Sequence, residues 1–368
     1  MNLGPYQTLN GKLAYKGNKV FKPVSEVRKI RPPNLSKRHL EVKKYIKGWN
    51  SLIRIWDAVF RASSEFMKNN GVLLFDLPII TRMISSPGAL TGTISSDVDP
   101  FRIKFFGQTT FLTQSSQLYL EFAITNPKIN SVYCWEKSFR REKADFRHLP
   151  EFTHIEFESN IDFEKNLKFQ QDYLQFIVSY LIKNCEKEIK VFLKKLDIKE
   201  LRRFLELKNF EKITFHNAFK LLEKKMNNRK YNKVTVKNFG AYEEVLLTEI
   251  INKPVFVTHY MEKEAAFYHA KDPKNPKSVI NADFLFPGYG ELIGSGERVH
   301  TRKETKEKAR RFKLNMKDYQ PYIESRTDNP KIHSGWGMGI ERFIQIILKL
   351  PFIWETKPFP RVDNQNQP

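Results

Sequence analysis

Two short basic stretches between residues 139 and 152 carry the side chains best suited to binding phosphate. The first reads Phe-Arg-Arg-Glu over residues 139–142, and the second reads Arg-His-Leu-Pro-Glu-Phe over residues 147–152. Arginine suits phosphates and carboxylates because its planar guanidinium donates two hydrogen bonds at once. Glu142 could accept from the exocyclic amine of a purine, and Phe152 could stack on the base. Taken alone, an arginine-rich loop is also typical of a solvated surface, so both interpretations stay open.

A glycine-punctuated stretch, Gly-Trp-Gly-Met-Gly-Ile-Glu-Arg, occupies residues 335–342. Alternate glycines on a strand let a ligand approach the backbone closely. The stretch runs into a predicted helix whose first turn holds Arg342, where the guanidinium could meet a phosphate or lie on an adenine ring. The alternative is a core strand kinked by glycine. A Walker P-loop is excluded, because the sequence has no GxxxxGK[ST] pattern.

A second glycine-rich stretch, residues 288–298, contains Glu291. Magnesium prefers one or two protein carboxylates together with phosphate oxygens. Glu291 is therefore a candidate magnesium ligand, and Asp283 is a weaker second candidate. A glycine-rich strand that carries a surface acid would give the same pattern.

A polar stretch over residues 112–121 reads Leu-Thr-Gln-Ser-Ser-Gln-Leu-Tyr-Leu-Glu. Its serine and glutamine side chains, including Ser115 and Gln117, could bind the ammonium and carboxylate groups of an amino acid. Without further context the same residues fit an ordinary junction between a strand and a helix.

The composition limits the class of protein and its partners. The 368 residues include 63 Lys and Arg against 41 Asp and Glu, a formal charge of +22. This excess favours nucleic acid, nucleotide phosphates or an anionic membrane as partners, although a basic proteome would give the same excess. Cys134 and Cys185 are the only cysteines, too few for a zinc cluster or a disulfide framework. No apolar run approaches the ~20 residues of a membrane span. A cytoplasmic enzyme that does not contact a membrane is expected.

Hydrophobic periodicity places these stretches in an α+β fold with an antiparallel sheet, because strands occur in neighbouring groups rather than alternating strictly with helices. Residues 1–35 are expected to form a basic N-terminal arm or a short hairpin, and residues 36–368 the main domain. Within it, residues 186–240 are predicted to be a Lys-rich helical insertion with a solvated face. Further helices are predicted, at 36–69, 162–196, 303–325 and 340–350.

Together, the order of these stretches resembles the class II aminoacyl-tRNA synthetases, and most closely their asparaginyl and aspartyl branch. Residues 139–152 are similar to motif 2 of that class, and residues 335–342 to motif 3. The helix that ends at Gly71, with the strand that follows, is similar to motif 1. The resemblance runs from about residue 36 to Arg361. It implies a catalytic domain built on an antiparallel sheet, the use of ATP and Mg2+, and a homodimer formed through motif 1.

The resemblance also implies roles for individual residues. It implies ATP binding by Arg140, Glu142, Arg147, His148, Phe152, Glu291 and Arg342, with catalytic roles for Arg140 and Arg342. It implies amino-acid binding by Ser115, Gln117, Glu121, Arg298 and Gly335. It implies magnesium binding by Glu291 and Asp283.

Within the branch, the sequence is more similar to the asparaginyl enzymes. Aspartyl enzymes usually carry a lysine where Leu120 stands, which pairs with the substrate side-chain carboxylate. Here Glu121 follows instead, and a carboxylate accepts from an amide NH2 but repels a second carboxylate. In the family, residues that match Glu121 and Arg298 bracket the amide. Two departures alter the pocket: Glu297 stands where the family usually has glutamine and is expected to add an acid beside the substrate, and Ala265 replaces a usual lysine.

The main hypothesis is ATP-dependent activation of asparagine as its adenylate, with transfer to tRNA. One alternative follows because only about 35 residues precede the catalytic domain, too few for the family's anticodon-binding OB barrel. The chain would then act as an AMP-forming asparagine synthetase on aspartate and ammonia, as implied by a resemblance to archaeal asparagine synthetase-related proteins. A third interpretation is a non-catalytic protein that binds tRNA. The joint presence of Arg140, Glu142, Glu291 and Arg342 argues against the third.

Overall fold

Apolar strands separated by glycine and proline turns build the frame of the molecule. The computed structural model describes residues 4–17, 20–23, 26, 29–44, 47–85, 99–326 and 331–363. The strands are β1 Tyr6–Leu9, β2 Lys12–Gly17, β3 Val20–Pro23, β4 Leu73–Leu74, β5 Ile80–Thr81, β6 Arg102–Phe105, β7 Gln108–Leu112, β8 Ser131–Phe139, β9 Glu151–Ser159, β10 Glu211–Thr214, β11 Val255–Thr258, β12 Asn281–Phe286, β13 Gly290–Glu297 and β14 Ser334–Gly339.

Helices cover this frame and connect its strands. The helices are α1 Arg38–Lys43, α2 Lys47–Asn69, α3 Gln117–Ile124, α4 Phe163–Asn184, α5 Glu186–Ile189, α6 Lys195–Leu205, α7 Phe215–Met226, α8 Ala241–Ile251, α9 Arg302–Arg311, α10 Met316–Glu324 and α11 Ile340–Ile347. Among the described residues, no helix is long and apolar enough to cross a membrane.

The central sheet holds eight strands within the described residues, in the order β10-β11-β12-β13-β14-β9-β8-β4. All pairs from β11 to β8 are antiparallel, which confirms the predicted α+β fold. The two end strands, β10 and β4, pair in parallel with their neighbours. A parallel pair needs a crossover between its strands, and helices α7 and α8 supply it for β10 and β11.

The two faces of the sheet differ in chemistry. On one face, helices α2 and α4 pack through aromatic rings: the Tyr173 ring centroid lies 4.8 Å from that of Trp336, and Phe157 stacks on Phe169 at 4.4 Å. Side chains alternate between the two faces along a strand. The residues beside Phe157 and Trp336 therefore project from the opposite face, where the polar stretches converge.

Several predicted helices are divided in the structure. The expected helix over 36–69 forms as α1 and α2; positions 45 and 46 between them lie outside the described residues. Gly71 adopts the predicted left-handed conformation at its end, with a φ of 69°. The helix expected over 162–196 ends at Asn184. The helix expected over 303–325 is α9 and α10, because Lys313 between them has a left-handed φ of 54°.

The segment 186–240 is not purely helical, contrary to the prediction. It contains β10, which extends the central sheet, as well as α5, α6 and α7. Its apolar side chains join the core: the Phe210 ring stacks on Phe284 of β12 with centroids 4.9 Å apart. That the segment is an insertion stays a prediction.

Residues near the N-terminus pack onto the body of the protein. Strands β1, β2 and β3 form a small antiparallel sheet. The Tyr6 side chain is only 1% exposed, its ring lies 5.0 Å from Phe146 and 5.7 Å from Tyr289, and its hydroxyl donates to the Pro351 carbonyl. The hairpin of β1 and β2 therefore packs against the core through Tyr6.

Replacing Tyr6 with alanine should lower the free energy of unfolding by about 3 kcal/mol or more, as for other large buried aromatic side chains. The matched control is Leu9→Ala on the same strand, where the side chain is 45% exposed. It should change stability by less than about 0.5 kcal/mol. Urea unfolding followed by tryptophan fluorescence compares them, and equal losses would contradict the packing described for Tyr6.

Candidate active site

The sequence-predicted nucleotide-binding residues converge on one cavity over the polar face of β9, β13 and β14. The cavity is lined by Arg140, Glu142, Arg147, His148, Phe152, Glu291 and Arg342, together with His154, Gly337 and Gly339. The antiparallel order of the strands brings these distant stretches together. The guanidinium carbon of Arg140 lies 5.5 Å from the Phe152 ring centroid, a distance at which cation and ring attract.

Arg147 is held by a buried carboxylate. Its Nη1 donates to Glu244 Oε2 at 2.6 Å, and its Nη2 donates to Glu244 Oε1 at 3.4 Å. Nη1 also lies 3.3 Å from the Tyr289 carbonyl oxygen. Glu244 accepts in addition from the backbone N–H of Glu291 at 3.0 Å, so it ties helix α8 to the cavity.

Arg342 is fixed against the glycine-rich turn by backbone contacts. Its Nη1 donates to the Glu291 carbonyl oxygen at 2.8 Å and lies 3.5 Å from Glu291 Oε2. Its Nη2 donates weakly to the Arg147 carbonyl at 3.4 Å. Burial lowers the pKa of Arg342, and the Glu291 carboxylate opposes that shift. The guanidinium is therefore positioned before any ligand binds.

The two carboxylates predicted to bind magnesium lie close together. A Cβ atom added at Gly294 would be 3.4 Å from Glu291 Oε1 and 3.8 Å from Asp283 Oδ1, so both carboxylates point towards the same spot. Burial and the Glu291 carboxylate raise the pKa of Asp283 well above its usual value. A divalent cation would relieve this repulsion, and the oxygen donors are the kind that magnesium prefers. The residues fit the ion.

The amino-acid candidates surround a second buried cluster centred on Glu121. Its Oε2 accepts from the Tyr322 hydroxyl at 2.8 Å and contacts Arg326, and it lies 3.1 Å from His333 Nε2. Gln117 Nε2 donates to the other oxygen at 3.3 Å. Burial alone would raise the pKa of Glu121, but the Arg326 guanidinium and His333 lower it to about 2. The carboxylate is ionised at neutral pH.

Arg298 pairs with a different carboxylate, Glu158. Its Nε lies 3.1 Å from Glu158 Oε1, and its Nη2 lies 3.1 Å from Glu158 Oε2. Gly335 makes room for this pair, because a Cβ at that position would be 2.0 Å from Glu158 Oε2 and 2.4 Å from the Phe157 carbonyl oxygen. Arg298 and Gly335 therefore meet at Glu158 beside the Glu121 cluster.

The start of helix α3 is held by carboxylates from the sheet. Ser115 Oγ donates to Glu156, and the backbone N–H of Ser116 donates to Glu136 Oε1 at 2.9 Å and to Glu156 Oε2 at 2.8 Å. A helix N-terminus favours negative charge because its first N–H groups are unpaired. The acids on β8 and β9 thereby fix the helix that carries Gln117 and Glu121.

Comparisons with known proteins identify the family of the chain. Residues 33–363 match the model of the family described as tRNA synthetases class II (D, K and N). The chain belongs to the class II tRNA synthetases. An asparagine–tRNA ligase from Lactobacillus johnsonii is 33% identical over 337 residues, which cover 91% of this chain and 73% of that protein. A ligase of the same name from Lactobacillus gasseri is 32% identical over the same length.

Solved structures of asparaginyl-tRNA synthetases share the fold of this class II synthetase. The asparaginyl-tRNA synthetase from Pyrococcus horikoshii complexed with asparaginyl-adenylate superposes with a TM-score of 0.81 at 30% identity, covering 91% of this chain and 73% of that chain. The asparaginyl-tRNA synthetase from Entamoeba histolytica in complex with asparaginyl-adenylate has a TM-score of 0.77 at 24% identity, which supports the fold alone.

One expectation about the synthetase pocket is wrong. Glu297 does not add an acid beside the substrate, because it pairs across strands with Ser334 and projects from the aromatic face of the sheet. Its carboxylate accepts from the backbone N–H of Phe163 at the start of α4. The alternation of side chains along β13 sends Glu297 to one face, while Arg298 lies beyond the strand end.

Sequence reasoning missed three residues of the site: Glu158, Glu244 and Arg326. Glu158 had a usable signal, because it lies two residues after Glu156 on β9, and both project from the polar face. Glu244 and Arg326 had none, since their partners lie 97 and 205 residues away. Such contacts follow from the tertiary fold and not from local spacing.

Replacing Gly335 with alanine should lower the free energy of unfolding by about 1–3 kcal/mol, because the added methyl meets the Glu158 carboxylate and a backbone oxygen on β9. Gly48→Ala is the matched control: its nearest neighbour would be a Phe192 ring atom at 3.8 Å, and alanine favours a helix. It should leave stability unchanged or raise it. Thermal and urea unfolding give both values, and a tolerated Gly335→Ala would refute the close approach.

Proposed function

We propose that this protein activates asparagine with ATP to form asparaginyl-adenylate and transfers the asparaginyl group to tRNA. The observation that carries the proposal is the convergence of Arg140, Glu142, Phe152 and Arg342 on one cavity beside the ionised Glu121 cluster. The asparagine–tRNA ligases that resemble this chain supply the identity of the substrates. Residues 36–368 would form the catalytic domain.

In the first step, a carboxylate oxygen of asparagine attacks the α-phosphorus of ATP. A bond forms between that oxygen and phosphorus, the bond from phosphorus to the bridging oxygen breaks, and pyrophosphate leaves with the electron pair. No general base is needed, because the attacking carboxylate is already ionised. The protein contributes position and charge: Arg140 bridges the carboxylate and the α-phosphate, and Arg342 stabilises the charge that develops.

The nucleotide is oriented by contacts to its base and its phosphates. ATP would bind in a bent form, so that Arg342 contacts both the phosphates and the adenine. Phe152 and Arg342 enclose the adenine, and Glu142 accepts from its amine. Arg147 and His148 supply positive or hydrogen-bonding groups to the phosphates. Because Glu244 holds Arg147, this guanidinium acts as a fixed contact and does not need to be ordered when ATP binds.

Glu291 and Asp283 would hold magnesium, which when bound neutralises charge on the phosphate oxygens. The amide of asparagine would lie between Glu121 and Arg298, with Ser115 and Gln117 near its ammonium and carboxylate groups. The negative charge of Glu121 disfavours aspartate.

In the second step, a ribose hydroxyl of the terminal adenosine of tRNA attacks the activated carbonyl carbon. The new ester bond forms, the mixed anhydride bond breaks, and AMP leaves with the electron pair while its phosphate takes the hydroxyl proton. The formal charge of +22 favours binding of the RNA.

We also propose a cytoplasmic homodimer. The free, buried cysteines Cys134 and Cys185 fit a reducing compartment, and the exposed apolar residues of the edge strand β4 and its neighbour, Leu73, Leu74 and Phe75, fit a dimer contact.

Arg140→Ala should reduce asparagine-dependent ATP–pyrophosphate exchange at least ~100-fold, because it removes a charge that contacts the reacting phosphate. The matched control is its neighbour Arg141→Ala, whose side chain is 63% exposed and pairs with Asp99; this variant should retain exchange. The wild type is measured with asparagine and with aspartate, each with tRNA or ammonia. Aspartate-dependent exchange with asparagine formed from ammonia would replace the proposal by the synthetase alternative, and no exchange would favour binding only.

Glu121→Gln should lower the ratio of kcat/KM for asparagine to that for aspartate by at least ~10-fold, because the variant keeps the size of the side chain but removes the charge that repels aspartate. Glu262→Gln is the control, since Glu262 also pairs with an arginine, Arg311, but lines neither cluster. Exchange assays over a range of each amino acid give the ratio. An unchanged ratio in Glu121→Gln would remove Glu121 from the selection of asparagine.

A further inference from the structure

Two hairpins of this chain use the same two-residue turn with different residues. The turn between β1 and β2 is Asn10-Gly11, with φ values of 48° and 72°. The turn between β6 and β7 is Phe106-Gly107, with φ values of 48° and 80°. A positive φ at both positions strongly favours Asn-Gly, whereas a bulky side chain at the first position crowds the following carbonyl group. Phe106 is therefore a costly choice for this turn.

Packing does not explain Phe106 either. Its side chain is 91% exposed, the largest exposure among the large apolar side chains in the described part of the chain. The ring meets Phe105 edge to face, with centroids 4.6 Å apart, and Phe105 is itself 46% exposed. We call these two residues the aromatic tip. A residue that neither suits its backbone nor packs in the core indicates a function.

The hairpin below the aromatic tip is basic. Residues 101–112 contain two cations, Arg102 and Lys104, and no acid. Both cations are exposed, and Lys104 Nζ donates to Thr109 Oγ1 at 2.7 Å. Arg82 adds a third cation, which donates to the Thr109 carbonyl oxygen at 2.9 Å and pairs with Asp318. Exposed aromatic rings above cations are the arrangement with which proteins bind unpaired nucleotides, through stacking on the bases and contact with the phosphates.

The hairpin leads directly to the candidate active site. Strand β7 continues into Thr113, whose carbonyl oxygen accepts from the backbone N–H of Phe139 at 2.8 Å. Ser115 follows two residues later. At ~3.3 Å per residue, the aromatic tip lies within ~30 Å of Ser115 along the strand. A single-stranded nucleic acid bound at the aromatic tip could therefore extend towards the candidate active site.

We propose that the aromatic tip is a stacking platform for an unpaired base of the RNA that this enzyme binds, with Arg102 and Lys104 contacting the adjacent phosphates. The identification of that RNA as tRNA rests on the proposed function. The tip would then hold a single-stranded part of the RNA while the acceptor end enters the site.

The test is Phe106→Asn, which installs the residue found at the equivalent position of the Asn10-Gly11 turn. We expect the Tm to be unchanged or higher, because asparagine suits the backbone. We expect the Kd for unfractionated tRNA, measured by filter binding at fixed salt, to rise about 5- to 100-fold through loss of one stacking contact. Affinity for a blunt RNA duplex, and ATP–pyrophosphate exchange without tRNA, should not change. Leu9→Ala, which removes an exposed apolar side chain beside the other turn, should not change any of these values.

Two binding results would overturn the stacking platform: unchanged tRNA affinity in Phe106→Asn, or an equal loss of affinity for the duplex. A change in the mass of Phe106→Asn in analytical ultracentrifugation would also overturn it, because the tip would then be a contact between copies of the chain. The proposed function fails separately. If the wild type shows no exchange with asparagine but Phe106→Asn still weakens tRNA binding selectively, then the activation chemistry is wrong and the platform stands.

Discussion

Three buried arginines on the polar side of the central sheet must each be neutralised by a carboxylate. Arg147 faces Glu244, Arg298 faces Glu158, and Arg326 faces Glu121. A buried charge without a partner is strongly unfavourable, so each arginine can be buried only together with its carboxylate. The partners lie 97, 140 and 205 residues apart. The charge balance of the site therefore depends on tertiary contacts between strands, helices and loops that are far apart in the sequence.

The sheet separates this charged side from the part of the core that stabilises it. One face packs aromatic rings against α2 and α4, and the other presents glycines and carboxylates. Gly335 and Gly337 on β14 keep the polar face open, since a Cβ at either position would lie within 3 Å of a side chain of β9. Because side chains alternate along each strand, one strand packs apolar residues on the core face and presents polar residues on the opposite face.

The α+β fold and the grouping of the proposed nucleotide-binding residues could be predicted from the sequence, because glycine spacing and paired basic stretches are local patterns. All seven predicted residues line one cavity. It did not predict that Glu121 is held by Arg326 and Tyr322, because nothing near either residue in the chain signals a partner about 200 residues away. The expectation that Glu297 adds an acid beside the substrate was wrong, because the sequence did not show that its side chain and that of Arg298 leave β13 in different directions. Helix divisions such as that at Lys313 also depend on backbone conformations that propensity does not encode.

The contact between Tyr6 and Pro351 joins residues 345 positions apart, and the Tyr6 ring packs against Phe146, the neighbour of Arg147. Closing so long a loop is slow, because many conformations must be lost before the contact is made. During synthesis this contact can form only after every residue from Tyr6 to Pro351 has been made. The cavity beside Arg147 therefore takes its final shape only after the segment that carries Pro351 has packed onto Tyr6.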